Sequence, residues 1–396
     1  MMAYLRRLNV LASHVLAPSS NFPALEVEKN LCSSRKVRPV VIGGMVLDIQ
    51  ATPVGHDILP GTTTPGEVSY ARGGVARNIA ESLVKLGVQP FLISVVGDDM
   101  AGNHFLDHWQ SLGLSVDGIR VCAGASTPVI SEVYDRKGEL AAAVADTHAV
   151  EVYLTPDWIS SFAGEIQSAS VVLVDANLDS AAIKQACKLA SHADVPVWYE
   201  PVSVAKSVRA TEVLSAMTYI SPNEGELVAM ANALPPIREE SDTPATQVPA
   251  LDGSFQNLAL ALVRQLEESI EKLLEAGVKY IVLTLGSEGA VLCSREPFGK
   301  ISCVHYPALS ASVVKLTGAG DSLVAGTLAA LSESIPEVQA LAYGMAAAKL
   351  TVESELNVAQ NLSWTAITDG AEGLSPLAQE LIISSRRTHR RLRVEA

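Results

Sequence analysis

No run of apolar residues in this 396-residue chain reaches the ~18 that a membrane-crossing helix needs, so no membrane span is expected. Cations are scarce as well: 29 Lys and Arg stand against 43 Asp and Glu, for a net charge of −14. The isoelectric point is about 5.1. A nucleic-acid surface wants a basic stripe, and none is present. An acidic chain can still hold a phosphorylated cofactor, because a glycine-lined anion site works through backbone N–H groups. The five cysteines, Cys32, Cys122, Cys187, Cys293 and Cys303, are scattered and form no C-x-x-C pair. Neither a disulfide framework nor a zinc site is expected, and a reducing compartment fits. Internal repeats are missing. So is a G-x-G-x-x-G after the first strand with an acidic residue ~20 positions on, which disfavours a dinucleotide-dependent dehydrogenase.

What is present is core material. Hydrophobic residues make up 48% of the chain, enough for one large α/β domain or two smaller ones. The first 36 residues stand outside that pattern. They open with Arg6-Arg7-Leu8, carry a polar Ser19-Ser20-Asn21 stretch and have no acid before Glu26. Their apolar stretches are too broken for a secretory signal. Arg7-Leu8, five residues, then His14-Val15 resembles the N-terminal type-two peroxisomal signal, with Val15 departing from the usual last residue. Arg7, Leu8, Leu11 and His14 would share one helical face, as a segment read by an import receptor should. An Arg-bearing organellar transit peptide, or an untargeted tail in the cytoplasm, are the other readings of the same residues.

From residue 38 onward the pattern is regular. Segments 39–44, 90–96, 171–175, 195–199, 219–221 and 280–284 read as short buried strands. Segments 75–87, 181–193 and 258–276 read as helices, the first stopped by Gly87. Alternating strands and helices predict a mostly parallel sheet with helices on both faces. Residues 49–72 and 118–147 break the rhythm and read as a small β-lid, its hairpin turning at Asp135-Arg136-Lys137-Gly138. Residues 233–256 read as a long mobile loop, and 386–396 as a solvated basic tail.

Chemistry concentrates in a few segments. Thr317-Gly318-Ala319-Gly320-Asp321 opens a clean apolar helix. Glycines at a helix N-terminus aim backbone N–H groups at an anion. A carboxylate beside such a site suits phosphoryl transfer, where Asp321 would take the proton of an attacking hydroxyl. Taken alone, an ordinary capped glycine turn would read the same. Gly73-Gly74-Val75-Ala76-Arg77-Asn78 opens the first long helix. Its glycines admit a ligand close to the backbone, and Asn78 offers a donor and an acceptor to a polyol. Asp48, after the Gly43-Gly44 strand end, sits where a parallel α/β sheet binds ligands and can accept from two vicinal hydroxyls.

These segments, in this order, resemble the two signatures of the ribokinase-like (PfkB) carbohydrate kinases, over roughly residues 38–355. Asn223-Glu224-Gly225-Glu226 is similar to that family's N-x-x-E motif, and Leu283 to Gly289 to its segment passing ATP. Lys315-Leu316 departs from the Asp-Thr found in many members. The resemblance implies one Rossmann-like kinase domain over 37–385 with a β-lid, and often a homodimer formed through the lids. It implies ATP and Mg²⁺, with Asn223 and Glu226 placing the metal through water, and in many members a monovalent cation such as K⁺. Gly318, Ala319 and Gly320 would form the anion hole. Asn223, Thr284, Gly286, Ser287, Gly289 and Thr317 would hold the nucleotide. Asp48, Gly73, Gly74 and Asn78 would hold a ribose.

The spelling G-G-V-A-R-N-I-A-E, with Ala145-Asp146-Thr147-His148 and Trp198-Tyr199-Glu200-Pro201, resembles the members that act on pseudouridine. The implied reaction is phosphorylation of that nucleoside's 5′-hydroxyl. A C-linked uracil presents carbonyls and N–H groups, so its pocket wants polar lid residues; Ser69, Arg72, Glu132, Asp146 and Thr147 would supply them. A ribose, ketohexose or ordinary-nucleoside kinase is the nearest alternative, and a non-catalytic nucleotide-binding relative a more distant one.

Overall fold

Short runs of β-branched residues build the centre of the molecule. The structure, a computed structural model, describes residues 38–59, 61–136, 140–235, 258–296 and 299–383. Residues 1–37, on which the targeting readings fall, the Lys137-Gly138 turn, most of the 233–256 loop, and the basic tail lie outside the described residues.

In chain order the first strands are β1 (Val40–Ile42), β2 (Val46–Pro53), β3 (Gly66–Gly73), β4 (Phe91–Gly97) and β5 (Ile119–Cys122). Next come β6 (Val129–Tyr134), β7 (Leu140–Asp146), β8 (Val172–Asp175), β9 (Val197–Glu200) and β10 (Tyr219–Ile220). The chain then forms β11 (Tyr280–Thr284), β12 (Ala290–Arg295), β13 (Ile301–Tyr306) and β14 (Gln379–Ile383). The main sheet has ten strands in the order β14-β13-β12-β11-β10-β9-β8-β1-β4-β5. From β5 to β11 all pairings are parallel; β12, β13 and β14 add an antiparallel edge. Within β1, Val40 and Ile42 enter one core cluster and Val41 the other. Burial on both faces is why these strands read as continuous apolar runs rather than alternating ones.

Four helices bear on the site: α1 (Val75–Lys85), α2 (Glu224–Asn232), α3 (Ala319–Ser332) and α4 (Glu337–Val352). α1 ends as its sequence predicts, with Gly87 at a φ of 86°. α3 packs against both α1 and α4. It contributes Leu323, Val324, Ala325, Leu328 and Ala329 to the core.

A second sheet of four strands, β3-β2-β6-β7, forms the lid. Two expectations are revised. Residues 118–147 do not belong wholly to the lid: β5 pairs with β4 in the main sheet, because Ile119 and Cys122 are buried in the body. The single helix expected over 258–276 is two, Leu258–Gln265 and Glu267–Glu275. The antiparallel edge was not foreseen. It brings Cys293 and Cys303, scattered in sequence, into register with their sulfurs 3.2 Å apart, both free thiols.

Candidate active site

The strand order turns back at β1, whose neighbours are β4 and β8. The crevice at the carboxyl ends of such strands is where an open α/β sheet receives ligands. Asp175, the last residue of β8, is fully buried there. Its Oδ2 accepts from the Gly44 and Ala76 N–H groups at 3.1 and 3.3 Å, and its Oδ1 from the Asn177 N–H at 2.9 Å. Burial raises its pKa, opposed by these bonds. Asp175 thus ties the first turn of α1 to the end of β1 and places Gly73-Gly74 over the crevice. At Gly74 the φ is +93° and an added Cβ would lie 2.4 Å from the Gly44 carbonyl oxygen. At Gly73 it would lie 2.3 Å from Asp48 Oδ2, so the absence of a side chain is what lets Asp48 in.

Asp321 lies in the first turn of α3, whose N-cap Gly318 is left-handed at φ 87°. A Cβ on Gly318 would fall 2.1 Å from the Asn357 carbonyl oxygen, so only glycine closes this turn. The first turn of a helix has N–H groups with no partner inside the helix, but of the expected anion-hole residues Ala319 already donates its N–H to the Leu316 carbonyl at 3.2 Å. Asp321 is 9% exposed. Burial pushes its pKa up to about 6, opposed by the Asn78 hydrogen bond and Arg77, and reinforced by Asp175 and Asp48. The Asn78 side-chain N–H donates to Asp321 Oδ2 at 2.6 Å. Asn78 is itself aimed: the buried Arg77 donates to its Oδ1. Arg77 also donates to the carbonyls of Gly73 and Arg72, and to Glu81 at 2.5 Å. One guanidinium therefore ties α1 to the end of β3 and orients the amide that faces Asp321.

Asp48, on β2, is 7% exposed, and burial raises its pKa. It accepts from Asn357 Nδ2 at 2.8 Å. The lid register sorts the expected base-contacting residues into two groups. Asp48, Ala71, Ile130 and Ala145 form one row across the lid, and Gln50, Ser69, Glu132 and Ala143 the next on the same face. Glu132 accepts from Gln50 Nε2 at 2.9 Å and from the Tyr134 hydroxyl at 2.8 Å. Leu47, Arg72, Val129 and Asp146 form a row on the opposite face. The register therefore does not bring Arg72 and Asp146 to Asp48. Arg72 instead donates to His104 at 3.2 Å, and Asp146 is exposed. The period of two along a strand is the reason. Thr147, half-buried, caps the following turn, where its carbonyl accepts from Val150.

The nucleotide-side residues meet at a cavity of about 130 Å³ lined by Glu200, Ser221, Asn223, Glu226, Thr284, Gly320, Leu323 and Val324. The N-x-x-E motif is a capping box on α2. Asn223 Oδ1 accepts from the Glu226 N–H, and Glu226 Oε2 from the Asn223 N–H, both at 2.9 Å. Asn223 bridges to Thr284 at the end of β11. Gly286 and Ser287 follow in an exposed one-turn segment closed by the buried Gly289, while Thr317 and Gly320 are exposed and Ala319 half-buried. Glu200, the last residue of β9, is half-buried, and desolvation drives its pKa well up. Ser221 donates to it and accepts from Trp198 Nε1 at 2.8 Å.

Sequence reasoning missed Asp175, Arg77 and Asn357 as site residues. Asp175 ends a predicted strand at the ligand-binding edge, which is a usable signal. Asn357 lies in no motif, and only the fold brings it to Asp48.

An ionisable carboxylate beside a glycine-opened helix N-terminus, with a second buried carboxylate on a lid strand and a cavity lined by Gly320, Asn223 and Glu226, defines a phosphotransferase acting on a hydroxyl group. The family model of the pfkB family carbohydrate kinases matches residues 38–363, and the chain belongs to that family. A pseudouridine kinase of Arabidopsis thaliana is 40% identical over 85% of this chain and 96% of its own length. The pseudouridine kinase of Escherichia coli is 25% identical over 82% and 93%. The structure of Arabidopsis thaliana ribokinase complexed with ribose and ATP superposes with a TM-score of 0.67 at 20% identity, covering 85% of this chain and 99% of that one. The last comparison bears on the fold, which is the ribokinase fold.

Proposed function

We propose that this enzyme transfers the γ-phosphoryl group of ATP to the 5′-hydroxyl of pseudouridine. The observation that carries the chemistry is the buried Asp321, aimed by Asn78 at 2.6 Å beside the N-terminus of α3. The two pseudouridine kinases among the relatives support the acceptor. So does the polar lid row Gln50–Ser69–Glu132, which offers hydrogen bonds to a uracil edge instead of a stacking slot.

Asp48 accepts from the ribose 2′- and 3′-hydroxyls, and Gly73-Gly74 lets the sugar approach the backbone. Asp321 takes the 5′-hydroxyl proton as the new O–P bond forms and the bond to the ADP oxygen breaks. The N–H groups of Gly318 and Gly320 hold the charge on the moving phosphoryl group, joined by that of Ala319 once it leaves the Leu316 carbonyl. Asn223, Thr284, Gly286, Ser287, Gly289 and Thr317 line the nucleotide.

The donors fit a hard divalent cation. Glu226, Glu200 and Asn223 line one cavity, and among the described residues no three His, Cys, Asp or Glu gather to hold a metal by themselves. Coordination completed by phosphate and water oxygens is the habit of Mg²⁺, which would neutralise phosphate charge there. We assign Glu226 and Asn223 to it through water.

Two further assignments belong to the same reading. The lid face opposite Asp48 exposes Val68, Tyr70 and Val144 in neighbouring rows. An apolar face of this kind suits a second copy of the chain, and Tyr70→Glu is expected to convert a dimer to a monomer in light scattering. Residues 1–36 are assigned to peroxisomal import on Arg7, Leu8 and His14.

The acceptor is tested by steady-state kinetics with ATP and Mg²⁺ against pseudouridine, uridine, ribose and fructose. The highest kcat/KM is expected for pseudouridine, and a higher value for any other acceptor overturns the assignment.

A further inference from the structure

We propose that Lys315 is a positioning residue for the acceptor: through the Asn357 amide it sets the direction in which Asp48 presents its carboxylate. The inference rests on the reading of Asp48 as the holder of the acceptor's vicinal hydroxyls.

The Lys315 ammonium donates to Asn357 Oδ1 at 2.7 Å. An ammonium has no acceptor, so the amide oxygen must face Lys315 and the amide nitrogen must face away. Both hydrogens of that nitrogen then find acceptors, Asp48 Oδ2 at 2.8 Å and the Arg72 carbonyl at 3.1 Å. Lys315, Asp48 and the Arg72 carbonyl thus demand one and the same orientation of the amide, and the ammonium holds its oxygen end. A flipped amide would set Oδ1 against both the Asp48 carboxylate and the Arg72 carbonyl, three acceptors with no proton between them.

The backbone ties the same residues together. Gly318, three positions after Lys315, packs against the Asn357 carbonyl so closely that no Cβ fits between them. Asn357 is thereby held to the turn that opens α3, and Lys315 and Gly318 grip its two ends. Lys315 also faces the charges of Asp48, Glu132 and Glu355, which favour its ammonium form against burial.

The same device operates on the other carboxylate. Arg77 holds the Asn78 oxygen and Asn78 gives its N–H to Asp321. Each of the two carboxylates is thus presented by an asparagine whose oxygen is pinned by a cation. The Arg77 pair serves the proton acceptor and the Lys315 pair serves the acceptor site, so the two predict different kinetic signatures.

The test uses the full chain and whichever acceptor the wild-type enzyme prefers in the panel above. A failure of the pseudouridine assignment is then read from the wild type, and a failure of this inference from the variants. Lys315→Met is expected to raise the acceptor KM about tenfold or more, the loss of one charged-group hydrogen bond, with the KM for ATP within about twofold of wild type. Lys315→Arg, which can still donate to Asn357, is expected to recover most of the loss. ADP binding by calorimetry reports that each variant is folded. An unchanged acceptor KM in Lys315→Met, equal rises in both KM values, or no recovery by Lys315→Arg in a protein that binds ADP normally would each overturn the inference.

Discussion

Asp321 is useful because it is uncomfortable. Its pKa, pushed up to about 6 chiefly by burial, lies close to the pH at which a base must both exist ionised and hold a proton well. Asp321→Asn is expected to cut kcat by ~10²–10⁴-fold, the usual value of a general base, while ADP affinity measured by calorimetry stays near wild type. The same substitution should stabilise the fold. The folded protein holds this proton more tightly than the unfolded chain, so folding carries no penalty below 3.8 and the full penalty above about 6. Asparagine removes that penalty, on the order of 2–3 kcal/mol at neutral pH. Melting curves should therefore show the variant above wild type at neutral pH and the difference fading in acid. Asn78 supplies the opposing influence, since its hydrogen bond lowers the pKa. For the wild type, kcat/KM is expected to rise with pH through about 6. In Asn78→Leu that limb should move to higher pH, and an unmoved limb would show that another group titrates.

At the scale of elements, the site depends on where the lid strands meet α1. β3 ends at Gly73 and α1 begins at Val75, so the lid and the first helix share a two-glycine joint that passes beside Asp48. Gly73→Ala would place its Cβ 2.3 Å from Asp48 Oδ2. That substitution is expected to raise the acceptor KM at least about tenfold by displacing the carboxylate, with ATP binding little changed because α2 and β11 are untouched. Equal losses for both substrates in steady-state kinetics would count against it. The lid also shows how far a strand's pattern carries. The hairpin expected about residues 135–138 is flanked by β6 and β7. Which face each residue shows depends on register with β2, and that register sets Glu132 beside Gln50 and Asp146 on the other side. A local reading cannot supply the register, since a slip of one residue reverses every side chain.

For the whole molecule, the first 36 residues carry no element of the α/β pattern. Their removal is expected to leave kcat/KM within about twofold of the full chain. Fused to a fluorescent reporter, residues 1–36 are expected to direct it to peroxisomes, and changing Arg7 and His14 together should leave it in the cytosol. Fluorescence in mitochondria or plastids would instead support a transit peptide.

The body of this protein is written in local patterns of its residues. Fully buried parallel strands must be continuous apolar runs, and glycines at helix starts cannot be replaced where a backbone or a ligand comes close. Both requirements leave marks that read locally, and so β1, β4, β8, β11, α1, α3, Asp321 and Asn78 were legible. Tertiary structure alone decided the partners of those residues. Asn357 reaches Asp48 from more than 300 positions away, and Asp175 reaches α1 from the end of another strand. Lys315 joins the acceptor site only because the fold brings the segment before α3 to Asn357, 42 positions on. A hydrogen bond between such distant residues depends on the packing of whole elements, and the local composition of neither partner records it.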